Sequence, residues 1–151
     1  MSNPPAAPAN AIAAALTRIV ADGFILRFRT ETLCWNTGED DLAFIDFFEQ
    51  ARPALDALIL STAARINALG YHSPQSLNNL RTLSSILDGG DDTLDLARLA
   101  GEYRILERDC KLVAAIAGRD HDQDTVRLLT RQMQSLAPLL QRLDQLAARN
   151  I

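Results

Sequence analysis

The chain has little of what a nucleic-acid-binding protein uses. Lys111 is its single lysine, and the first basic residue of any kind is Arg18. The net charge is −4, and the pI is near 5.1. An acidic chain without a basic N-terminal arm offers little attraction to a phosphate backbone. We therefore do not expect this protein to bind DNA.

Membrane and secretion signals are also missing from the sequence. No segment reaches the ~18 uncharged apolar residues of a membrane span. Residues 1–10 lack the basic start and the long apolar run of a signal peptide. Only two cysteines are present, Cys34 and Cys110, and they lie too far apart in sequence to suggest a disulfide framework. We expect a cytoplasmic protein with free thiols and no membrane association.

What the sequence does contain is a strong helical pattern. Alanine and leucine dominate, and there are only 7 glycines and 6 prolines. Apolar or small residues recur every three or four positions in four stretches, which is the spacing of one helix face. These stretches run from Ile12 to Leu33, Phe44 to Leu69, Leu96 to Ala117 and Val126 to Ala147. They predict an all-α, four-helix domain over residues 11–151, preceded by a flexible tail over residues 1–10.

The connections indicate how these helices are arranged. The first and last connections are short, whereas the middle one, from Gly70 to Asp91, is long. Two hairpins joined by one long crossover are typical of a ferritin-like bundle. We expect a short helix inside the crossover, with Ser73 as N-cap and Pro74 at the first helical position. Asp91 or Asp92 is then expected to cap the third long helix.

Two features of the helices need a further explanation. Pro53 and Pro138 fall inside the second and fourth stretches, so we expect either a kink at each proline or a second helix made of two pieces that meet at Arg52. The first two helices also carry more apolar residues than one core-facing stripe needs: Val20, Phe24, Ile45, Phe47, Ile59 and Leu60. A lone bundle would leave much of this surface wet, so we expect a homo-oligomer.

Two segments carry a resemblance to a known family. Thr30–Asn36 reads Thr-Glu-Thr-Leu-Cys-Trp-Asn, and Ala63–Gly70 reads Ala-Ala-Arg-Ile-Asn-Ala-Leu-Gly. They resemble the ends of the first and second helices in Dps proteins (DNA protection during starvation), where His-Trp-Asn and Ala-Glu-Arg-x-x-x-Leu-Gly are usual. The resemblance implies a ferritin-like fold and a cage, usually a dodecamer, linked to iron storage, iron homeostasis and stress protection.

The same resemblance implies that most iron ligands have been lost. Dps proteins oxidise iron at a site between two subunits, with histidine and carboxylate ligands from the first two helices. Among the corresponding positions here, only Glu49 keeps an oxygen donor, and the others are Cys34, Ile45, Leu60 and Ala64. Hydrocarbon side chains cannot coordinate iron. We therefore expect weak iron binding at most and little or no ferroxidase activity.

Several alternatives stay open at this stage. An active iron-oxidising Dps could use relocated ligands such as Glu49 and Asp56, or a paralogue partner. Each of two pairs, Glu31 with Cys34 and Glu107 with Cys110, places a carboxylate and a thiol on one helix face, where a zinc ion could bind.

The resemblance also implies roles for a loop and for a tryptophan. The acidic loop containing Asp120, Asp122 and Asp124 matches the family's threefold pore, where three copies would attract cations. It could equally serve only to cap the fourth long helix. Trp35 is the only tryptophan. We predict that it anchors the subunit interface.

Overall fold

The computed structural model describes residues 7–86 and 94–149, and the description below concerns these residues. They form five helices: α1 (Ala7–Asn36), α2 (Leu42–Ala68), α3 (Leu77–Leu83), α4 (Leu96–Arg119) and α5 (Gln123–Ala148). This part of the chain contains no strand. The predicted all-α class is confirmed, and so is the short helix between the second and third long helices.

Pairs of contacting residues give the helix directions. Asp22 on α1 lies beside Asp109 on α4, and Arg29, two turns further along α1, is ion-paired with Glu102, two turns earlier on α4. The helices α1 and α4 are therefore antiparallel. Since α1 and its hairpin partner α2 are also antiparallel, α2 and α4 run in the same direction. A parallel pair requires a connection that spans the length of the bundle, which is the ferritin-like topology.

The helices α2 and α5 pack side by side, and ion pairs tie them at both ends. Arg65 near the end of α2 binds Asp122 at the start of α5, with Nη2 2.8 Å from Oδ1. At the other end, Nη2 of Arg149 lies 2.7 and 2.6 Å from the two carboxylate oxygens of Asp41. These bonds join α2, the second helix of the first hairpin, to α5, the second helix of the second hairpin.

An aromatic cluster lies in the core towards the end of the bundle that holds the α1–α2 turn. The Phe47 ring lies 5.9 Å from the rings of both Phe44 and Tyr103, measured between centroids. The Tyr103 hydroxyl is hydrogen-bonded to Thr30 Oγ1 at 2.9 Å, so its polar atom has a partner inside the apolar core. Phe47 is fully buried, and Val20 is nearly so. Assigning these two residues to a subunit interface was therefore wrong, because the protomer itself buries them.

The start of α3 differs from the prediction. Its N-cap is Ser76 rather than Ser73, since the Ser76 hydroxyl oxygen accepts the backbone N–H of Asn79 at 3.0 Å. Ser73 and Pro74 lie in the preceding loop. Both serines satisfy the sequence rule for an N-cap, and the proline after Ser73 favoured the wrong one.

The start of α4 also lies later than predicted. Asp95 is its N-cap and accepts the backbone N–H of Arg98 at 2.8 Å. Asp91 and Asp92, the predicted caps, lie outside the described residues. The side chain of an aspartate placed just before the first helical turn can accept one of the free backbone N–H groups of that turn. Asp95 is the aspartate at that position.

Neither proline interrupts its helix. The helix α2 is continuous through Pro53, so the alternative of two pieces meeting at Arg52 is wrong, and α5 is continuous through Pro138. Both prolines are exposed, where water can bond the carbonyl that a proline leaves without an N–H partner. A bend at these positions stays a prediction.

The N-terminal helix is long and strongly apolar. It begins at Ala7, so residues 7–10 of the predicted tail are helical, and residues 1–6 lie outside the described part. By length and composition, Ala9–Asn36 could cross a membrane, but 56% of its most apolar window is buried inside the bundle. That degree of burial is typical of the core helix of a soluble protein.

Candidate functional site: the α1–α2 face

Four positions that resemble the family's iron ligands lie along one stripe of α2, together with Asp56, the candidate relocated ligand. Ile45, Glu49, Asp56, Leu60 and Ala64 are spaced by four or seven residues, which places them on the same side of the helix. Ile45 is half-buried and the other four are exposed. Together with Arg27, Phe28, Glu31, Cys34 and Trp35 of α1, they form what is called here the α1–α2 face.

An arginine occupies the middle of this face. The Arg27 guanidinium forms an ion pair with Asp56 across the two helices, and Arg27 Nη1 also lies 3.9 Å from Glu31 Oε2. No sequence pattern singled out Arg27. Asp56 was a candidate relocated metal ligand, but its carboxylate already has a cationic partner. A metal ion could use Asp56 only by displacing the guanidinium.

Large apolar side chains flank the ion pair on the α1–α2 face. Trp35 is 67% exposed and Leu60 is 73% exposed. Phe28, also exposed, packs edge-on against Trp35 with ring centroids 6.5 Å apart. Phe28 was missed in the sequence because it belongs to no core stripe. Its spacing of seven residues from Trp35 was the available signal. The interface role of Trp35 stays a prediction.

The donor set on this face does not fit an iron centre. Glu49 is exposed, and the structure gives it no ion pair or hydrogen bond within the described residues. Across residues 7–86 and 94–149, no three histidine, cysteine or acidic side chains come together as a metal site would require. Partial burial, followed by the Glu31 charge, raises the pKa of the Cys34 thiol, so it is not a ready thiolate ligand. Within the described part of this face, Glu49 is the one carboxylate without a cationic partner.

The second cysteine belongs to the core. Cys110 is fully buried, and burial, with the nearby charges of Asp22, Asp109 and Glu107, raises its pKa to about 12. A thiol with that pKa stays protonated at neutral pH and is a poor ligand for zinc. The described structure therefore lends no support to the zinc alternative.

The three aspartates of the acidic loop between α4 and α5 differ in their surroundings. Asp122 is the N-cap of α5: its Oδ1 accepts the backbone N–H of Thr125 at 3.1 Å and also bonds Arg65. Burial alone raises the pKa of Asp122, but the hydrogen bonds from Thr125 and Arg65 outweigh it and lower the pKa. Asp120 and Asp124 are exposed, and Asp124 pairs with Arg127. Capping by Asp122 is compatible with a pore role, which stays a prediction for Asp120, Asp122 and Asp124.

Four charged residues are buried between α1 and α4, and none of them was predicted from the sequence. Asp22, Arg29, Glu102 and Asp109 are each at most 7% exposed. Arg29 and Glu102 make two contacts, Nε to Oε2 at 2.7 Å and Nη2 to Oε1 at 2.6 Å. A signal was present: Arg29 follows Leu26 by three residues, and Glu102 follows Leu99 by three. Charged residues at core spacing on two helices, with opposite signs, indicate a buried pair.

Comparisons with solved structures identify the architecture. No protein-family model and no curated protein sequence matches the chain. The Dps protein of Vibrio cholerae, described as a member of the ferritin-like diiron-carboxylate superfamily, superposes with a TM-score of 0.82 at 21% identity, over 91% of this chain and 89% of that one. Antigen TpF1 of Treponema pallidum gives 0.85 at 20% identity, over 97% and 98%. DpsC of Streptomyces coelicolor gives 0.85 at 17%, over 95% and 90%. The chain therefore has the Dps fold.

Proposed function

We propose that this protein is a divergent Dps-like subunit of a homo-oligomeric shell, with most of its ferroxidase ligands lost. The observation that carries the proposal is the composition of the α1–α2 face. Where a Dps protein needs metal donors, this chain presents Leu60 and Ala64, and Trp35 lies exposed on the same face. Large exposed apolar side chains grouped on one face favour a protein–protein contact. The fold supports the shell, and the side chains argue against iron chemistry.

The face is well suited to meet a second copy of itself. In a twofold contact the same patch lies on both sides, so Leu60 and Trp35 of each protomer would be buried together. Burying a leucine side chain that was in water contributes about 2 kcal/mol. The Arg27–Asp56 pair is already neutralised within one protomer, so its charges do not repel the partner. Such a face favours association and offers little to a metal ion.

The wider role follows from the resemblance. As a Dps-like shell, the protein belongs in the cytoplasm, assembles as a dodecamer, and contributes to storage or stress protection. An alternative places iron oxidation in this same shell, through Glu49 with ligands from a second subunit or from a paralogue. Glu49 is exposed and uncommitted, so it is the residue around which that alternative must be built.

Assembly is tested by changing one apolar residue of the face. Leu60→Asp should lower the assembly state seen by size-exclusion chromatography with light scattering, because it places a charge where two protomers meet. Leu112→Asp is the matched control, since Leu112 is also an exposed leucine on a helix but lies on α4. Monomeric wild-type protein would contradict the proposal, and so would equal effects of the two variants.

Iron chemistry is tested by adding ferrous iron with oxygen or peroxide and following ferric absorbance. The proposal predicts a rate close to that of a protein-free solution. A rate well above it that Glu49→Ala abolishes would favour the alternative. Glu39→Ala serves as the control, because Glu39 is an exposed glutamate in the α1–α2 turn.

A further inference from the structure

Two carboxyl groups meet inside the bundle, away from the α1–α2 face. Asp22 on α1 is completely buried, and Asp109 on α4 is 3% exposed. Their carboxyl groups lie beside each other and interact directly. Within the described residues, Oδ2 of each carboxyl is buried without a hydrogen-bond partner. Two ionised carboxylates side by side in the core would repel each other, and one proton between them removes that repulsion.

The same pair holds the end of the described crossover. Oδ1 of Asp22 accepts the Ser84 hydroxyl at 2.7 Å and the Ser85 backbone N–H at 2.8 Å. The Ser85 side chain lies beside Asp109. Ser84 Oγ in turn accepts the backbone N–H of Ile86 at 3.0 Å, and the Ile86 side chain is buried in the core. Three consecutive crossover residues therefore depend on one buried carboxyl pair.

We propose that Asp22 and Asp109 share one proton and form a pH-sensitive latch that fastens residues 84–86 of the crossover to α1 and α4. When the latch is closed, the shared proton keeps the net charge of the two carboxyls at −1 instead of −2. When the segment lifts away, water reaches both carboxyls and the second one ionises. Rising pH therefore favours the open state.

The charges around the pair agree with this assignment of the proton. Burial, then the contact with Asp109, raises the pKa of Asp22 to about 8. Burial opposes ionisation of Asp109 as well, but hydrogen bonds from Asp22 and Ser85 and the charges of Arg108 and Arg18 outweigh it and lower its pKa. Glu107 and the neutral thiol of Cys110 on α4 are the remaining titratable neighbours. The proton therefore resides on Asp22 and is donated to Asp109.

The direction of the pH effect follows from proton linkage. Once in water, Asp22 has an ordinary pKa of about 4, so the open state releases its proton above that pH, while the closed state keeps it up to about 8. The stabilisation by the Asp22 proton is complete below about pH 4. The opening constant of the latch should then rise by up to about tenfold for each pH unit towards 8, and level off above it.

Hydrogen exchange on the full chain tests the latch. The readout is the protection of the peptide that contains the Ser85 and Ile86 amides, corrected for the intrinsic exchange rate, from pH 5 to 9. Wild-type protection should fall at least tenfold between pH 6 and 8 and then level off. Asp22→Asn mimics the protonated carboxyl: it can accept from Ser84 and Ser85 and donate to Asp109. This variant should stay protected throughout.

Two further variants make the test decisive. Asp109→Asn removes the neighbouring carboxyl but leaves Asp22 buried, so it should weaken the pH dependence without abolishing it, and it can replace Asp22→Asn if that variant does not fold. Asp46→Asn, at an exposed aspartate of α2, should keep the wild-type profile. A flat wild-type profile, or unchanged pH dependence in both latch variants, would overturn the proposal. So would loss of protection on adding a chelator at pH 6, because a metal ion would then hold the carboxyls together.

Discussion

The buried ion pair between α1 and α4 allows a quantitative prediction. Arg29 and Glu102 are 7% and 6% exposed and are joined by two short contacts. Replacing Arg29 with methionine keeps much of the side-chain volume but removes the guanidinium. The Glu102 carboxylate then keeps Arg98 as a cationic neighbour, with Nε at 3.8 Å from Oε1. A buried carboxylate that loses its closest cation is strongly destabilising.

The expected loss is about 3 kcal/mol in the free energy of unfolding, at the low end for a broken buried pair because Arg98 remains nearby. For a domain of this length, that corresponds to a fall in Tm of roughly 10 °C. Removing both charges in the double variant Arg29→Met, Glu102→Leu should cost much less, about 1 kcal/mol or less, because no unpaired charge is left in the core.

Thermal unfolding followed by circular dichroism measures these losses, at one fixed protomer concentration because assembly also shifts Tm. Arg104→Met is the control. Its partner is Asp144, and both side chains are about half exposed, so solvent screening limits the loss to about 0.5 kcal/mol. If Arg29→Met and Arg104→Met lower Tm equally, or if the double variant is as unstable as Arg29→Met, the reasoning about burial is refuted.

Two further predictions concern close packing and helix capping. Gly23→Ala should destabilise the fold by about 1–3 kcal/mol in denaturant unfolding, because its Cβ would lie 3.0 Å from Leu58 Cδ2. A Cβ added at Gly101 on α4 would have no neighbouring atom within 4 Å, so Gly101→Ala should stabilise the fold by about 0.5–1 kcal/mol. A Gly101→Ala variant less stable than Gly23→Ala would contradict the packing. Asp122→Ala should cost about 1–2 kcal/mol at neutral pH through the lost cap on Thr125. Because the pKa of Asp122 is lowered, that cost should disappear as pH falls below about 4, and a cost that persists there would count against the cap.

The fold could be predicted from the sequence because its signals are local. Spacings of three and four residues located the four long helices, and the lengths of the connections gave the ferritin-like order. The exact starts of α3 and α4 could not be predicted in this way. Ser73 and Ser76 both suit an N-cap, and so do the closely spaced aspartates before α4. Only the backbone path decides which side chain reaches a free N–H.

The candidate site was predicted less completely, since it depends on contacts between helices. The family's ligand positions were placed on α2 through the resemblance, but the partner of Asp56, Arg27 on α1, appears only in three dimensions. The same holds for Asp22 and Asp109. A charged residue in a sequence is normally interpreted as exposed. Asp22 and Asp109 are buried instead, because a proton shared between the two carboxyls reduces their combined charge.

Native mass spectrometry of the protein after incubation with ferrous iron tests the central claim most directly, because one spectrum reports both the subunit number and the bound metal. The account predicts a multi-subunit particle that carries no stoichiometric iron. A monomer, or a particle that holds two iron ions per protomer, would contradict it.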